Sequence, residues 1–467
     1  MSDFAIAILA AGLGTRLKSN IAKVLHRAGG RTLAEHAVRT ALEVAPAERV
    51  FVVIGHQAEA VRQVLEPFGV RFIYQREQLG TGHAIQAGRE QLQGAAEHLL
   101  VFYGDNTPLL RASTLRQLAE HHAQSGAAAT ILGVVLDDPA RYGRIVRDSD
   151  GRFADIVEHK SCTPEQLAIR EINTGVYCFR TAALFTQIDR IRNDNKAGEY
   201  YLTDVPALLL KAGERVEAIQ MGGPEETLGV NDRVELAEMD GRLRDRKARE
   251  LMLCGVTIYR PETCVIDPDV EIGRDAVIGP CVAIYGRTRI AENCVVRPFS
   301  TIADSVLEEG AVVNECCWVD RSRIGAGASI GPFARLREGS ELGPQARIGN
   351  FVETKKTRLG RKSKAQHLAY LGDATIGENV NIGAGTITCN YDGERKNPTF
   401  IEDGVFVGTN SSLVAPLRLG RNAYVAAGSV ITEDVPEDSL GIARGRQVNK
   451  EGWVRERRAA RSKPRKE

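Results

Sequence analysis

The sequence predicts an α/β domain followed by a parallel β-helix, and three observations predict it. The first is a period of six. Ile266, Ile272, Ile278, Ile284, Ile290, Val296 and Ile302 follow one another at that interval. The pattern restarts through Val312, Trp318, Ile324, Ile330, Leu336, Leu342 and Ile348, and returns at Ile401, Val407, Leu413, Leu419, Val425 and Ile431. Six fits neither the 3.6 of a helix nor a plain two-residue alternation. The second is a small or apolar residue four positions later (Val270, Ala276, Val282, Cys294, Ser300), with Gly, Pro, Asn and Asp between. A short flat strand and a corner per hexad, three hexads per coil, satisfies both; stacked coils bury an edge that no single coil can cover. The third is the alternation of apolar runs and helical patterns in the first half, which reads as a mainly parallel sheet.

In chain order, Phe4 to Ala10 reads as a buried strand and leads into Leu9-Ala10-Ala11-Gly12-Leu13-Gly14-Thr15-Arg16-Leu17. Strands are expected at 50–54, 99–103 and 128–136, and helices at 32–44, 83–92 and 113–124. Ligands of such a sheet bind beyond the carboxyl ends of its strands. The glycine loop is neither a GxxxxGK[ST] phosphate loop nor a good dinucleotide fingerprint, since Leu17 replaces the third glycine. It does bring backbone amides together with two cations, Arg16 and Lys23, as a polyphosphate requires. Asn231 to Leu253 lacks proline and is rich in Glu, Arg, Lys and Leu, a long and mostly exposed connecting helix. Residues 1–229 are therefore the first domain, 230–253 the linker helix, 254–450 the β-helix and 451–467 a basic, disordered tail.

The chain has 467 residues and a net charge of +1, so no overall field favours nucleic acid or a membrane surface. Its nine cysteines form no CxxC pair, and the adjacent Cys316 and Cys317 would face opposite sides of one strand. They read as reduced thiols of a reducing compartment. The first residues lack a basic region and read as a strand, not a secretion signal. No apolar run has the length of a transmembrane span. The expected location is the cytoplasm.

Further pieces accompany the glycine loop: Gln75 with Gln78-Leu79-Gly80-Thr81-Gly82-His83, Tyr103-Gly104-Asp105, Tyr142-Gly143-Arg144, Ile156-Val157-Glu158-His159-Lys160, Glu171-Ile172-Asn173-Thr174-Gly175, Glu199 to Asp204 and Gly229-Val230-Asn231. This set resembles the sugar-1-phosphate nucleotidyltransferases. With the hexads, nearly the whole chain to Trp453 resembles the bacterial bifunctional UDP-N-acetylglucosamine pyrophosphorylases and glucosamine-1-phosphate N-acetyltransferases. The resemblance implies a Rossmann-like nucleotidyltransferase domain followed by a left-handed parallel β-helix; the usual crossover rule alone would give the right-handed form.

The resemblance also implies roles. Leu9, Ala10, Ala11 and Gly12 would line the uridine nucleotide, Arg16 would grip the leaving pyrophosphate and Lys23 the α-phosphate. Gln75, Gly80 and Thr81 would read uracil, and Tyr103 and Gly104 would also bind the UDP-sugar. Gly143, Glu158 and Asn173 would hold the amino sugar, and Asp105 and Asn231 would bind Mg²⁺, a hard cation suited to one carboxylate and one amide oxygen. Read alone, Asp105 could equally cap the next helix. Two departures stand out: Asn106 and Thr107 both separate Asp105 from Pro108 where one residue is usual, and Ala22 precedes Lys23 where proline is usual.

His367 is the single histidine of the β-helix half, where the rhythm loosens. The residues alone leave it structural or catalytic. Arg335, Arg337, Lys355 and Lys356 lie about one coil apart, so they could stack near it as a phosphate cluster or as a solvated face. Thr388-Cys389-Asn390-Tyr391-Asp392-Gly393 opens an excursion to Phe400 that no hexad accommodates, and such loops carry function. The resemblance makes His367 the general base for the sugar amine. It puts Arg337, Lys355, Tyr370, Asn381 and Asn390 on the sugar phosphate, and Ala384, Tyr391, Thr409, Ala427 and Arg444 on acetyl-CoA. Thr409 stands where serine is common.

The implied substrates are UTP, N-acetylglucosamine-1-phosphate, glucosamine-1-phosphate and acetyl-CoA; the implied assembly is a homotrimer; the implied product is a precursor of cell-wall peptidoglycan and lipopolysaccharide. The alternatives are a single-activity nucleotidyltransferase with a structural β-helix and a non-catalytic sugar-nucleotide sensor.

Overall fold

The structure is a computed structural model and describes residues 3–105, 108–195 and 197–461. The extra residue after Asp105 and the last part of the basic tail lie outside them. The chain divides into two compact units, Met1–Lys247 and Ala248–Glu467. Among the described residues no helix is long and apolar enough to cross a membrane.

The first unit is built on a sheet of β1 (Phe4–Leu9), β2 (Val50–Ile54), β3 (Arg71–Tyr74), β4 (His98–Tyr103), β5 (Ala129–Val135), β6 (Arg144–Arg147), β7 (Phe153–Val157), β8 (Glu171–Arg180) and β9 (Val216–Gln220). Its path is β9-β5-β8-β4-β1-β2-β3, with β6 on β8 and β7 on β6. Strands β1 to β4 are parallel, but β8 runs antiparallel to both β4 and β5. The sheet is therefore more mixed than the alternation of patterns suggests. Separate apolar clusters pack the two faces, one around Phe51, Tyr177 and Phe179, the other around Ile6, Ile54 and Phe102. Thr32 caps the helix Leu33–Leu42 reciprocally with Glu35, which fixes its start. The expected helix 83–92 is two pieces, Thr81–Ala87 and Arg89–Leu92, broken at Gly88.

The domain boundary near residue 229 moves. The long helix, α1 (Arg233–Leu253), is mostly exposed as expected, yet Met239 and Leu243 are buried with Ala28, Leu33, Leu109 and Val230. The Gly29 amide also donates to Asp240 at 2.7 Å. These contacts assign its residues up to Lys247 to the first unit, while Ala248 and Leu251 join the core of the second.

The second unit is a three-sided parallel β-helix whose sheets contain 11, 10 and 9 strands, each strand pairing with the one a full coil later. The inward positions from Ile266 to Ile302 and from Ile401 to Ile431 are those of the hexad, nearly all buried. Between them the register differs. Trp318 is exposed and Val312 half-buried, while Val313 and Val319 point inward. The cause is a shorter corner. Ile302 is followed by Leu307 and Val319 by Ile324, each a step of five, and the same occurs from Thr354 to Leu359 and from Leu371 to Ile376. Left-handed residues make all four corners: Asp304, Arg321, Lys356 and Asp373, with φ of 45°, 43°, 47° and 48°. Cys316 and Cys317 do not share a strand as expected: they form a corner before the strand Trp318–Asp320, with Cys316 left-handed at φ 59° and half-buried and Cys317 buried.

The tail differs from the expected disorder: Trp453–Arg461 is helical and wholly exposed. Its Arg, Glu and Ala residues are strong helix formers, and the Arg457 guanidinium lies 4.9 Å from the Trp453 ring centroid.

Candidate active sites

The first site lies beyond the carboxyl ends of β1, β2, β3 and β4. Leu9 pairs with both Val53 and Tyr103, so the ends of three strands align and deliver the glycine loop and Asp105 to one edge. Gln75 follows β3 and is tied there by its amide, which donates to the Ile54 carbonyl at 2.8 Å. Gly14 turns the loop at φ 62°, and a Cβ there would sit 2.5 Å from Lys23 Cβ. The loop therefore packs against the backbone that carries Lys23, and only glycine permits it.

Lys23 is nearly buried, and its ammonium is 2.5 Å from Asp105 Oδ2 and 3.2 Å from Asn231 Oδ1. Arg16 donates to the same Asn231 oxygen at 2.8 Å. The Val230 amide donates to the Asp105 carbonyl at 3.1 Å, which brings two residues distant in sequence side by side. Among the described residues no group of three or more His, Cys, Asp or Glu could hold a metal. The Asp105 carboxylate and the Asn231 amide oxygen both reach the Lys23 ammonium, and one carboxylate with one amide oxygen is a donor pair that fits a hard divalent cation whose other ligands are phosphate and water.

Two cavities lie beside these groups, one lined by Asp105 and the other by Arg16 and Asn231. One, of about 440 Å³, is lined by Leu9, Ala11, Gly12, Gln75, Gly80 and Thr81, among others. The other, of about 400 Å³, is lined by Arg16, Gly143, Glu158, Asn173 and Asn231, among others. Tyr103 lines both. In the first, buried Gln75 donates to the Gly80 carbonyl at 3.0 Å, and Leu79 and Gly82 both bond to Tyr200. In the second, Asn173 donates to Tyr177 Oη at 2.7 Å and accepts from the Gly175 amide at 3.2 Å. Burial, and then the charge of Asp204, raises the Glu158 carboxyl above its usual range. Asp204 is itself raised to about 6 by burial and by Asp155 and Asp194. Ala10 enters neither cavity: its side chain is in the core and its amide donates to Val53. The Gly104 amide likewise donates to Leu9.

The second site is on the β-helix. Arg337 and Lys355 lie one coil apart at the same end of one side, and Glu338 is 3.1 Å from Lys355 and 4.0 Å from Arg337. Glu353 takes the other side of Arg337 at 3.0 Å. The next coil supplies Tyr370, in register with Glu353, and Gly372, in register with Lys355. A Cβ on Gly372 would meet both Tyr370 Oη and Asn390 Nδ2, so these two groups converge above it. Asn390 donates to Asp373 at 2.6 Å and its carbonyl accepts from Asn397, closing the excursion as a compact loop. Arg335 lies at the opposite end of its strand, and Asn381 stands on the sheet that carries His367.

His367 sits at a corner. Ala384, Thr409 and Ala427 occupy the same corner on successive coils, shown by the bonds Gly385 to Leu368, Asn410 to Ala384 and Gly428 to Thr409. Coils repeat at about 4.8 Å, so this track is about 14 Å long. Arg444 lies next to Gly428 at its end, and Tyr391 projects separately from the excursion, 60% exposed.

Residues 6–200 match the MobA-like NTP transferase domain family, 260–357 the GMPPB C-terminal domain and 398–433 the hexapeptide repeat of succinyl-transferase. The protein named Bifunctional protein GlmU from Solibacter usitatus (strain Ellin6076) is 55% identical, with 97% of each chain covered. The one from Koribacter versatilis (strain Ellin345) is 50% identical, with 98% of each covered. The chain belongs to the GlmU family. Its β-helix is the left-handed, hexapeptide-repeat form.

Several residues lining this GlmU-family cleft carry no role in the sequence analysis: Glu199 in the first cavity and Tyr142 in the second, both inside quoted motifs, and Glu235 in the second. Tyr142 Oη accepts from the Gly229 amide at 2.9 Å, and Glu235 accepts from the Asn231 amide at 2.6 Å, so both hold the Asn231 segment. The motif Tyr142-Gly143-Arg144 contained that signal for Tyr142; nothing local marks Glu235. On the β-helix, Glu338 and Glu353 lie outside the basic pattern yet separate its cations, since like charges stacked one coil apart are unfavourable without carboxylates between them.

Proposed function

We propose that the two units carry the two transfers of UDP-N-acetylglucosamine synthesis, each in a site of its own. The chain is a bifunctional enzyme. It moves the acetyl group of acetyl-CoA to glucosamine-1-phosphate, then the uridylyl group of UTP to N-acetylglucosamine-1-phosphate with release of pyrophosphate, and its product feeds cell-wall synthesis. The observation that carries the assignment of sites is the pair of cavities that share Tyr103, one lined by Asp105 and the other by Arg16 and Asn231, in a unit that shares no residue with the His367 corner.

In uridylyl transfer the phosphate oxygen of the sugar attacks the α-phosphorus of UTP, and the bond to pyrophosphate breaks. The 440 Å³ cavity takes the nucleotide, with Gln75, Gly80 and Thr81 on uracil, and the 400 Å³ cavity takes the sugar, with Gly143, Glu158 and Asn173 around it. Lys23 neutralises the α-phosphate and Arg16 the departing pyrophosphate. Asp105 and Asn231 would hold Mg²⁺, which when bound supplies charge neutralisation to phosphate oxygens.

In acetyl transfer His367 takes a proton from the sugar amine as the nitrogen attacks the thioester, and the thiol of CoA leaves. Arg337 and Lys355 bind the sugar phosphate, with Tyr370, Asn381 and Asn390 on the ring. Acetyl-CoA lies along the Ala384–Thr409–Ala427 corner toward Arg444. A purely structural β-helix would have no need of the Arg337–Lys355 ladder beside Tyr370 and Asn390.

The working assembly is a homotrimer. Phe299, Phe333, Phe351 and Leu368 protrude from one corner at 52–64% exposure, with the rings of Phe333 and Phe351 stacked at 5.6 Å. An apolar ladder of this kind suits a second copy of the chain. The setting is the cytoplasm, where nine unpaired cysteines stay reduced.

The test follows free thiol and pyrophosphate separately. His367→Ala should abolish thiol release from acetyl-CoA and keep pyrophosphate release from UTP with N-acetylglucosamine-1-phosphate. Asp105→Ala should do the reverse. Loss of both activities in either folded variant refutes separate sites.

A further inference from the structure

We infer that Asn350 is a positioning residue for acetyl transfer: it holds the His367 imidazole in the tautomer whose Nε2 is free to accept a proton. This rests on the assignment of His367 as the general base. His367 Nδ1 lies 2.9 Å from Asn350 Oδ1. An amide oxygen only accepts, so Nδ1 carries the hydrogen and the lone pair is left on Nε2. The two residues stand in register on neighbouring coils, and the Leu368 amide donates to the Asn350 carbonyl at 3.1 Å. Side chain and backbone of Asn350 thus both grip the corner that carries the base.

A second, independent irregularity builds this contact. Most strands on that side of the prism are two residues long, but Arg347–Asn350 and Lys364–His367 have four each. The extension is what brings Asn350 opposite His367. It depends on Gly349, where a Cβ would collide with the backbone carbonyl of Gln366. That collision could not be relieved by turning a side chain. A regular hexad coil would end its strand at Ile348 and turn; its corner bond, as from the Phe333 amide to the Glu315 carbonyl, would remain, but residues 350 and 367 would not be paired as strand neighbours. The one histidine of this half is therefore placed on the one pair of strands in its sheet that continues past the normal corner.

The chemistry gives the expectation. Without an acceptor at Nδ1 the imidazole populates both tautomers and rotates, and a misoriented base loses rate rather than substrate affinity. Asn350→Ala in the full chain should lower kcat for thiol release 10- to 100-fold, with the KM values for acetyl-CoA and glucosamine-1-phosphate within threefold. Asn350→Asp keeps the acceptor and adds a negative charge that favours imidazolium. It should recover at least a tenth of the wild-type kcat and move the ascending limb of the kcat–pH profile to higher pH.

Far-UV dichroism, gel-filtration size and uridylyl transfer establish that each variant is folded, and His367→Ala is run beside them. A folded Asn350→Ala with wild-type kcat overturns the inference. So does an Asn350→Asp that is as slow as Asn350→Ala with an unshifted limb, because that marks a merely structural role. Activity surviving in His367→Ala instead removes the base assignment itself. If Asn350→Ala fails to fold, the comparison of Asn350→Asp with wild type decides by the same limb.

Discussion

Replacing Gly14 by alanine puts a methyl group where the glycine loop meets the backbone of Lys23. At φ 62°, ψ 33° an L-residue pays about 1–2 kcal/mol in left-handed conformation. The new Cβ would also lie 2.5 Å from Lys23 Cβ, where carbon contacts of about 3.5 Å are normal. Neither atom is the free end of a side chain, so relief requires the loop and the Lys23 segment to part by about 1 Å. Lys23 has little room to absorb that shift, being held by Asp105 at 2.5 Å and Asn231 at 3.2 Å. If Lys23 meets the α-phosphate as proposed, a misplacement of about 1 Å costs on the order of 100-fold, or about 2.7 kcal/mol of transition-state stabilisation. The strain should in addition lower the melting temperature of the first unit by about 3–6 °C. Pyrophosphate release with UTP and N-acetylglucosamine-1-phosphate measures the first effect and scanning calorimetry the second. Thiol release from acetyl-CoA by the same preparation should be unchanged. Gly14→Ala with uridylyl transfer within threefold of wild type and an unshifted melting temperature would refute the reasoning.

His36 should make the first unit acid-sensitive. Its Nε2 lies 2.8 Å from the Ala28 carbonyl, and burial lowers its pKa from 6.5 to about 4. The imidazole is neutral in the fold and takes a proton on unfolding below pH 6.5. Its share of stability is thus present above 6.5 and lost as pH falls toward 4, about 2 kcal/mol by pH 5 and about 3 kcal/mol below 4. Urea midpoints at pH 7.5 and 5 should show the loss, and His36→Gln should reduce it. Double replacement of Phe333 and Phe351 by glutamate should shift sedimentation toward the monomer, since a paired apolar ladder becomes a column of like charge. Ala427→Phe should raise the KM for acetyl-CoA at least tenfold and leave that for glucosamine-1-phosphate within threefold; equal effects on both would displace acetyl-CoA from the corner.

The architecture was legible because both halves are periodic. The hexads from Ile266 to Ile302 name their inward residues without help from the structure. Where a corner loses one residue the sequence offers no local mark, since Asp304 and Arg321 adopt left-handed conformations without being glycine. Val312 and Trp318 were therefore placed inward one residue too early, and a one-residue slip reverses every side chain until the next short corner. Most of the residues that the structure gathers around the two first-unit cavities lie in motifs legible as short strings. Partners that act across the fold were not. Glu235 meets Asn231 on the next turn of chain with no motif around it, and Asn350 meets His367 only because two strands run long.

The β-helix acquires chemistry where its repeat fails. A regular coil presents two-residue strands and identical corners, which makes a stable prism with nothing to distinguish one face from another. Lengthened strands at Gly349–Asn350 set His367 beside its acceptor. A shortened corner at Asp373 places a carboxylate 2.6 Å from the Asn390 amide. The excursion closed by Asn390 and Asn397 then separates Thr409 from Ala384 in sequence while leaving both on one corner. Each departure costs some regular packing, and the coils on either side, with inward residues such as Ile330, Leu336, Val407 and Leu413 fully buried, hold it in place. Mutations that restore the repeat, such as deleting residues 391–397, should then leave a folded prism with higher thermal stability and no acetyl transfer.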